Sequence, residues 1–165
     1  MAFESEQEKE WLCDALRGTD FFAACSLGEI EKLIVSMDKK SYKEGTKIVK
    51  QGEMGEFFFM IAKGKVSVWV ERKGYEKQRV NILGPGKYFG EIALMREMPR
   101  TATIIADEPC EAFLLYRSDF RELVLENPAL ERRIEQIVEK RLAEQEELTK
   151  SAEKSKGIFG KLFGK

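Results

Sequence analysis

Three regimes of hydrophobic patterning divide the chain. Between residues 3 and 17, Phe3, Trp11, Leu12, Ala15 and Leu16 return at helical spacing, which predicts an amphipathic helix stopped by Gly18. Ser26-Leu27-Gly28-Glu29 has the capping-box pattern and predicts a second helix carrying Leu33, Ile34 and Met37 on one face. From residue 39 to 116 the period shortens. Apolar or alternating runs at 47–50, 57–62, 65–70, 78–83, 101–106 and 112–116 are separated by glycine-bearing turns, with Gly74 at a hairpin tip. Short, evenly spaced strands of this kind predict a sandwich or barrel. The helical period then returns. Ser118 is the expected cap of a helix carrying Phe120, Leu123 and Val124, and Pro128 is placed to open a long helix to about residue 154. On that helix Leu130, Ile134, Ile137, Arg141, Gln145 and Leu148 follow a four–three spacing, with a second apolar edge at Val138 and Leu142. The pattern therefore reads as a helical segment (1–38), a β-region (39–117), C-terminal helices (118–154) and a short tail (155–165).

Composition narrows the chemistry. A chain of 165 residues that is 43% hydrophobic has room for one well-cored domain. Its 28 basic and 29 acidic residues leave a net charge of −1, so nucleic acid is not an expected partner. Histidine is absent, which removes the commonest metal ligand and the commonest general base. Cys13, Cys25 and Cys110 lack an evident activating partner or a CxxC pairing. No metal, no cofactor and no enzymatic activity are expected. Three widely spaced cysteines, an acidic opening (MAFESEQEKE) and a longest apolar run of only 57–62 make the cytoplasm the expected location.

The chemistry that remains lies in 83–102, LGPGKYFGEIALMREMPRTA. Gly84-Pro85-Gly86 opens it with a turn, and one helical turn is expected at 91–94 directly after Gly90. The free N–H groups of that turn suit an anion such as phosphate. Arg100 is a permanently charged fork suited to phosphate oxygens. Glu91 is an acceptor able to hold a pair of sugar hydroxyls. One loop thus offers a phosphate site and a ribose site within reach of each other.

Phe89-Gly90-Glu91, Ala93, Leu94, Pro99-Arg100-Thr101 and Ala102 resemble the phosphate-binding cassette of the cyclic-nucleotide-binding domain family. The resemblance extends to the glycine series Gly45, Gln51-Gly52-Glu53, Gly55 and Gly64-x-Val66-x-Val68, and runs from about Leu27 to Leu142. It implies an α+β, mainly β fold: an eight-stranded double-stranded β-helix jelly-roll barrel, with N-terminal helices and a long C-terminal helix flanking it. It further implies a cAMP or cGMP ligand, cAMP being the commoner in the family. Glu91 would accept from the ribose 2′-hydroxyl and Arg100 would pair with the cyclic phosphate. Backbone N–H groups of Gly90, Ile92 and Ala102 would cradle that phosphate, alongside Ala93. The Thr101 hydroxyl would reach the guanine amino group of a syn ligand. Val68, Val80 and Ile82, with Val66, are the expected apolar wall for the base, and Arg141 and Leu142 the expected contacts from the lid helix.

About twenty residues follow Leu142, too few for the winged helix-turn-helix of the family's transcription factors. A stand-alone receptor is expected, signalling through its flanking helices to a separate, unknown effector protein. Residues 128–150 offer a stripe for a homodimer, weakened by Arg141 and Gln145. The tail SKGIFGKLFGK sets Ile158, Phe159, Leu162 and Phe163 against Lys161 and Lys165, a pattern suited to peripheral membrane or partner contact. The alternative is a nucleotide-independent scaffold of the same fold.

Overall fold

Strand β3 (Phe57–Lys63) shows why the middle of the chain is so apolar. Side chains alternate across a strand, and Phe58 and Met60 enter one buried cluster while Phe59 and Ile61 enter two others. A strand covered on both faces has no polar side to show, hence a continuous apolar run in place of alternation. The computed structural model describes residues 3–162, with side-chain surroundings for residues 3–144 and 147.

Two four-stranded antiparallel sheets form the centre. One contains β1 (Asp38–Tyr42), β8 (Cys110–Tyr116), β3 and β6 (Tyr88–Phe89), in that order. The other contains β2 (Lys47–Val49), β7 (Thr103–Ala106), β4 (Val66–Val70) and β5 (Gln78–Leu83), in that order. Successive strands are shared between the sheets, as in a jelly roll. Ile61, Val66, Ile104, Ala106 and Cys110 fill the space between them. β1 and β6 were not separated as strands by the periodicity: the first is a half-exposed DKKSY run, and the second is two residues long.

Helices cover the outer face of the first sheet. α1 (Glu6–Arg17) is capped by Ser5 and ended at Gly18, and α2 (Leu27–Ser36) carries the full Ser26/Glu29 capping box. α3 (Arg117–Leu125) and α4 (Pro128–Leu162) follow β8. Phe21, Phe22, Phe58 and Phe120 are fully buried where these helices meet the sheet, and ring centroids of Phe22 and Phe58 lie 4.9 Å apart in an edge-on contact. Two boundaries differ from expectation. α3 starts at Arg117 with Tyr116 at its N-cap position, so Ser118 lies inside the first turn and caps nothing. β8 stays paired up to Tyr116, opposite Phe57, and leaves no loop in which a cap can form. α4 continues past residue 154 to Leu162, while the side chains of Gln145, Leu148, Ile158, Phe159 and Leu162, and all of Phe163, lie outside the described residues. Among the described residues no helix is long and apolar enough to cross a membrane, and no group of acidic or cysteine side chains is placed to hold a metal.

Candidate functional site

Gly90 begins the site. Its φ of 85° lies in the left-handed region, and a Cβ there would stand 2.6 Å from the Phe57 carbonyl oxygen and 2.6 Å from Arg100 Nη1. Conformation and space both require glycine. A 3-10 turn, Glu91–Leu94, follows at once. On the other side of the Arg100 guanidinium stands Gly55, where a Cβ would lie 2.7 Å from Cζ and Nε. Arg100 therefore threads a slot between two glycines. The backbone on either side of this slot is tied: Arg100 N–H donates to Glu53 O at 2.7 Å, and Gly52 N–H donates to Arg100 O at 2.9 Å.

Inside the slot Arg100 Nη2 donates to Phe57 O at 2.9 Å, and the guanidinium lies 5.7 Å from the Phe59 ring centroid. Among the described residues it has no carboxylate within ion-pair distance. Burial, and then the like charge of Arg117, pull its pKa below the usual arginine value, with Glu91 opposing them. A desolvated cation lacking a counter-ion is expensive to hold and attractive to an anion.

Arg117, at the start of α3, is a support that periodicity did not reveal. Its Nε donates to Ala93 O at 2.6 Å and its Nη2 donates to Gly55 O, so one side chain joins the end of the 3-10 turn to the slot. Arg96 makes a two-pronged bond to Glu135 of α4, at 2.7 and 2.6 Å, and it is chiefly this contact that holds the Glu135 carboxyl below its ordinary pKa. A sequence signal for these two existed only as arginines near an apolar turn, with no spacing rule to select them.

Glu91 points into the same region, 15% exposed at its side chain, and receives Arg141 Nη1 on Oε1. Arg141 Nη2 also donates to Asp20 and, at 2.8 Å, to Tyr88 Oη; Tyr88 Oη in turn donates to Asp20 at 3.0 Å. Burial acts to lower the Arg141 pKa, but Tyr88, Glu91 and Asp20 outweigh it and the net direction is up. For Asp20, burial acts to raise the pKa, while Tyr88 and Arg141 reverse it and hold the carboxyl below its usual range. Three parts of the fold meet here: the segment after α1, the cassette and α4.

Glu91 and Tyr88 border a cavity of about 270 Å³. Gly90, Glu91, Ile92, Ala93, Arg100, Thr101 and Ala102 all line it, with Val68 and Leu142. Val80 and Ile82 do not. They are 56% and 48% exposed on the outside of β5, and Asn81 and Leu83 face the cavity in their place. The reason is phase. Leu83 faces inward, so Asn81 must as well, and a register shift between Val68 and Trp69 leaves Val68 opposite Asn81 and Trp69 opposite Arg79. The alternation of Val80 and Ile82 looked like an inner face only because the true inner face carries a polar residue. Arg141 is also absent from the cavity wall; it acts on Glu91. Val66 is buried between the sheets.

The family model for the cyclic nucleotide-binding domain matches residues 39–127. The chain is 28% identical over 129 residues to a cyclic AMP receptor protein of Thermus thermophilus, covering 78% of this chain and 60% of that protein. It is 38% identical over 110 residues to a cGMP-dependent protein kinase of Toxoplasma gondii, covering 66% of this chain and 11% of the kinase. The chain thus spans less than two thirds of the length of these curated relatives. Among solved structures, the Thermus thermophilus catabolite activator protein superposes with a TM-score of 0.67 at 26% identity, over 82% of this chain and 63% of that one.

Proposed function

The chain belongs to the cyclic nucleotide-binding domain family, and from that membership we propose that it is a receptor for a purine 3′,5′-cyclic nucleotide, cAMP or cGMP. The observation that carries this is the Arg100 guanidinium, desolvated between Gly55 and Gly90, bordering the cavity and without a carboxylate partner among the described residues. A singly charged cyclic phosphate supplies the missing counter-ion. Its other oxygens meet the backbone N–H groups of the turn, at Gly90 and Ile92, and that of Ala102, with Ala93 closing the floor. Glu91 keeps Oε2 for ribose hydroxyls because Arg141 occupies Oε1. The base lies along Val68 and Leu83 toward Leu142.

Output follows from what the cassette touches. Phosphate drawn into the turn pulls on Ala93, hence on Arg117 and α3, while ribose drawn to Glu91 pulls on Arg141 and α4. Ligand favours the arrangement of these helices that it contacts best, and a separate effector protein reads the change. Thermal unfolding tests the reading. Either cAMP or cGMP at a hundred times its dissociation constant adds about 2.7 kcal/mol and raises the midpoint by roughly 5–10 °C, while 5′-AMP and 5′-GMP at equal concentration leave it in place. A midpoint unmoved by both cyclic nucleotides overturns the assignment.

A further inference from the structure

A second cavity, of about 240 Å³, lies between α2 and α3 and shares no residue with the one beside Arg100. Leu33 and Leu123, both buried, form its floor. Its α3 wall carries Asp119, Glu122 and Glu126, against a single Lys32 on α2. None of those three carboxylates is in an ion pair among the described residues. On the same two helices Leu125 and Val35 are 76% and 62% exposed. An apolar floor beside an acidic wall fits a helix that is basic along one edge and apolar next to it.

The chain contains a segment of that kind. Residues 150–162 hold four lysines and one acid. Lys150, Lys154 and Lys161 recur at the four- and seven-residue intervals of one helical stripe, and Ile158 and Leu162 are four residues apart. The groove repeats those intervals: Asp119 and Glu126 are seven residues apart, Glu122 and Glu126 four. Two helices lying side by side can therefore set lysines against carboxylates in register.

The segment cannot meet the groove of its own chain. α4 starts at Pro128, two residues after Glu126, and continues to Leu162. At a rise of 1.5 Å per residue it carries residue 150 about 33 Å and residue 161 about 50 Å from its start. A second copy removes the difficulty. A two-fold axis that sets the two α4 helices antiparallel brings the end of each beside the start of the other, where the groove lies. We infer that the chain forms a two-fold dimer in which residues 150–162 of each copy dock in the acidic α2–α3 groove of the other.

Sedimentation velocity on the full chain reads this directly. The expected result is a dimer at about 50 mM salt whose dissociation constant rises at least tenfold at about 500 mM, because the contact is charged. Glu122→Lys combined with Glu126→Lys sets like charges together and weakens association by at least about 100-fold. Lys154→Glu combined with Lys161→Glu does the same from the other side. Mixed in equal amounts, the two variants form a heterodimer, since each tail then meets a groove of opposite charge. Circular dichroism separates loss of association from loss of fold, and the salt dependence of the unaltered chain needs neither variant. A chain that stays monomeric at low salt and at its highest soluble concentration overturns the inference, whether another protein or nothing fills the groove. So does a dimer that either variant leaves intact, or two folded variants that stay apart when mixed.

Discussion

Two arginines serve the same loop in opposite ways. Arg141 is satisfied: Glu91, Asp20 and Tyr88 all accept from it, and its net pKa shift is upward. Arg100 is not: one carbonyl and the face of Phe59 are its partners, and its pKa shift is downward. Both are substantially withdrawn from water, so the difference is not exposure. It is whether the fold supplies the counter-charge. Where it does, the arginine joins elements that would otherwise move independently. Where it does not, the fold carries a cost that an incoming anion relieves.

Exchanging the roles of the two residues breaks the comparison most directly. Arg100→Gln is expected to weaken cyclic nucleotide binding by at least 100-fold, about 3 kcal/mol, since a charge-assisted contact in a desolvated slot is lost. The same variant leaves the melting midpoint of the free protein unchanged or slightly higher, because a buried cation has gone; differential scanning calorimetry reads that sign. Closing the slot has the next largest effect. Gly90→Ala places a methyl 2.6 Å from the Phe57 oxygen in a left-handed conformation, and is expected to lower unfolding free energy by about 2–3 kcal/mol in denaturant titration. Arg141→Met should behave as the mirror of Arg100→Gln. Stability falls by about 1–2 kcal/mol as Glu91 is left without its partner, while affinity changes by less than about tenfold.

Asp20→Asn is the smallest test and adds a pH dependence. Its carboxyl has a folded pKa below the unfolded value, so its contribution is present above the ordinary value near pH 4 and is lost as pH falls through the folded pKa. Asp20 is largely exposed, and screening limits the effect to under about 1 kcal/mol. The expected outcome is an acid-unfolding curve for Asp20→Asn that lies nearest the unaltered protein below pH 4 and furthest from it at neutral pH.

The sequence carried the cassette because its parts are local. Gly90, the turn at 91–94 and Arg100 lie within eleven residues, each with a distinct physical requirement, and the structure places them around one cavity. The helix starts at Ser26 and Pro128 were equally legible, since caps act over three or four residues. What stayed hidden was non-local. Arg117 meets Ala93 across 24 positions and Arg141 meets Asp20 across 121, and no period encodes such pairings. The inner wall of β5 misled for another reason. A half-open cavity does not demand an apolar lining, so the usual inference from Val80 and Ile82 to an inner face selected the wrong side, and the polar Asn81 went unnoticed.

The decisive measurement is a calorimetric titration of cAMP and cGMP into the unaltered protein, Arg100→Gln and Arg141→Met under one set of conditions. Tight binding by the unaltered protein, loss of at least 100-fold in Arg100→Gln and less than about tenfold in Arg141→Met identify Arg100 as the residue that awaits the phosphate. Equal affinities in the unaltered protein and Arg100→Gln, or no heat from either nucleotide, contradict it.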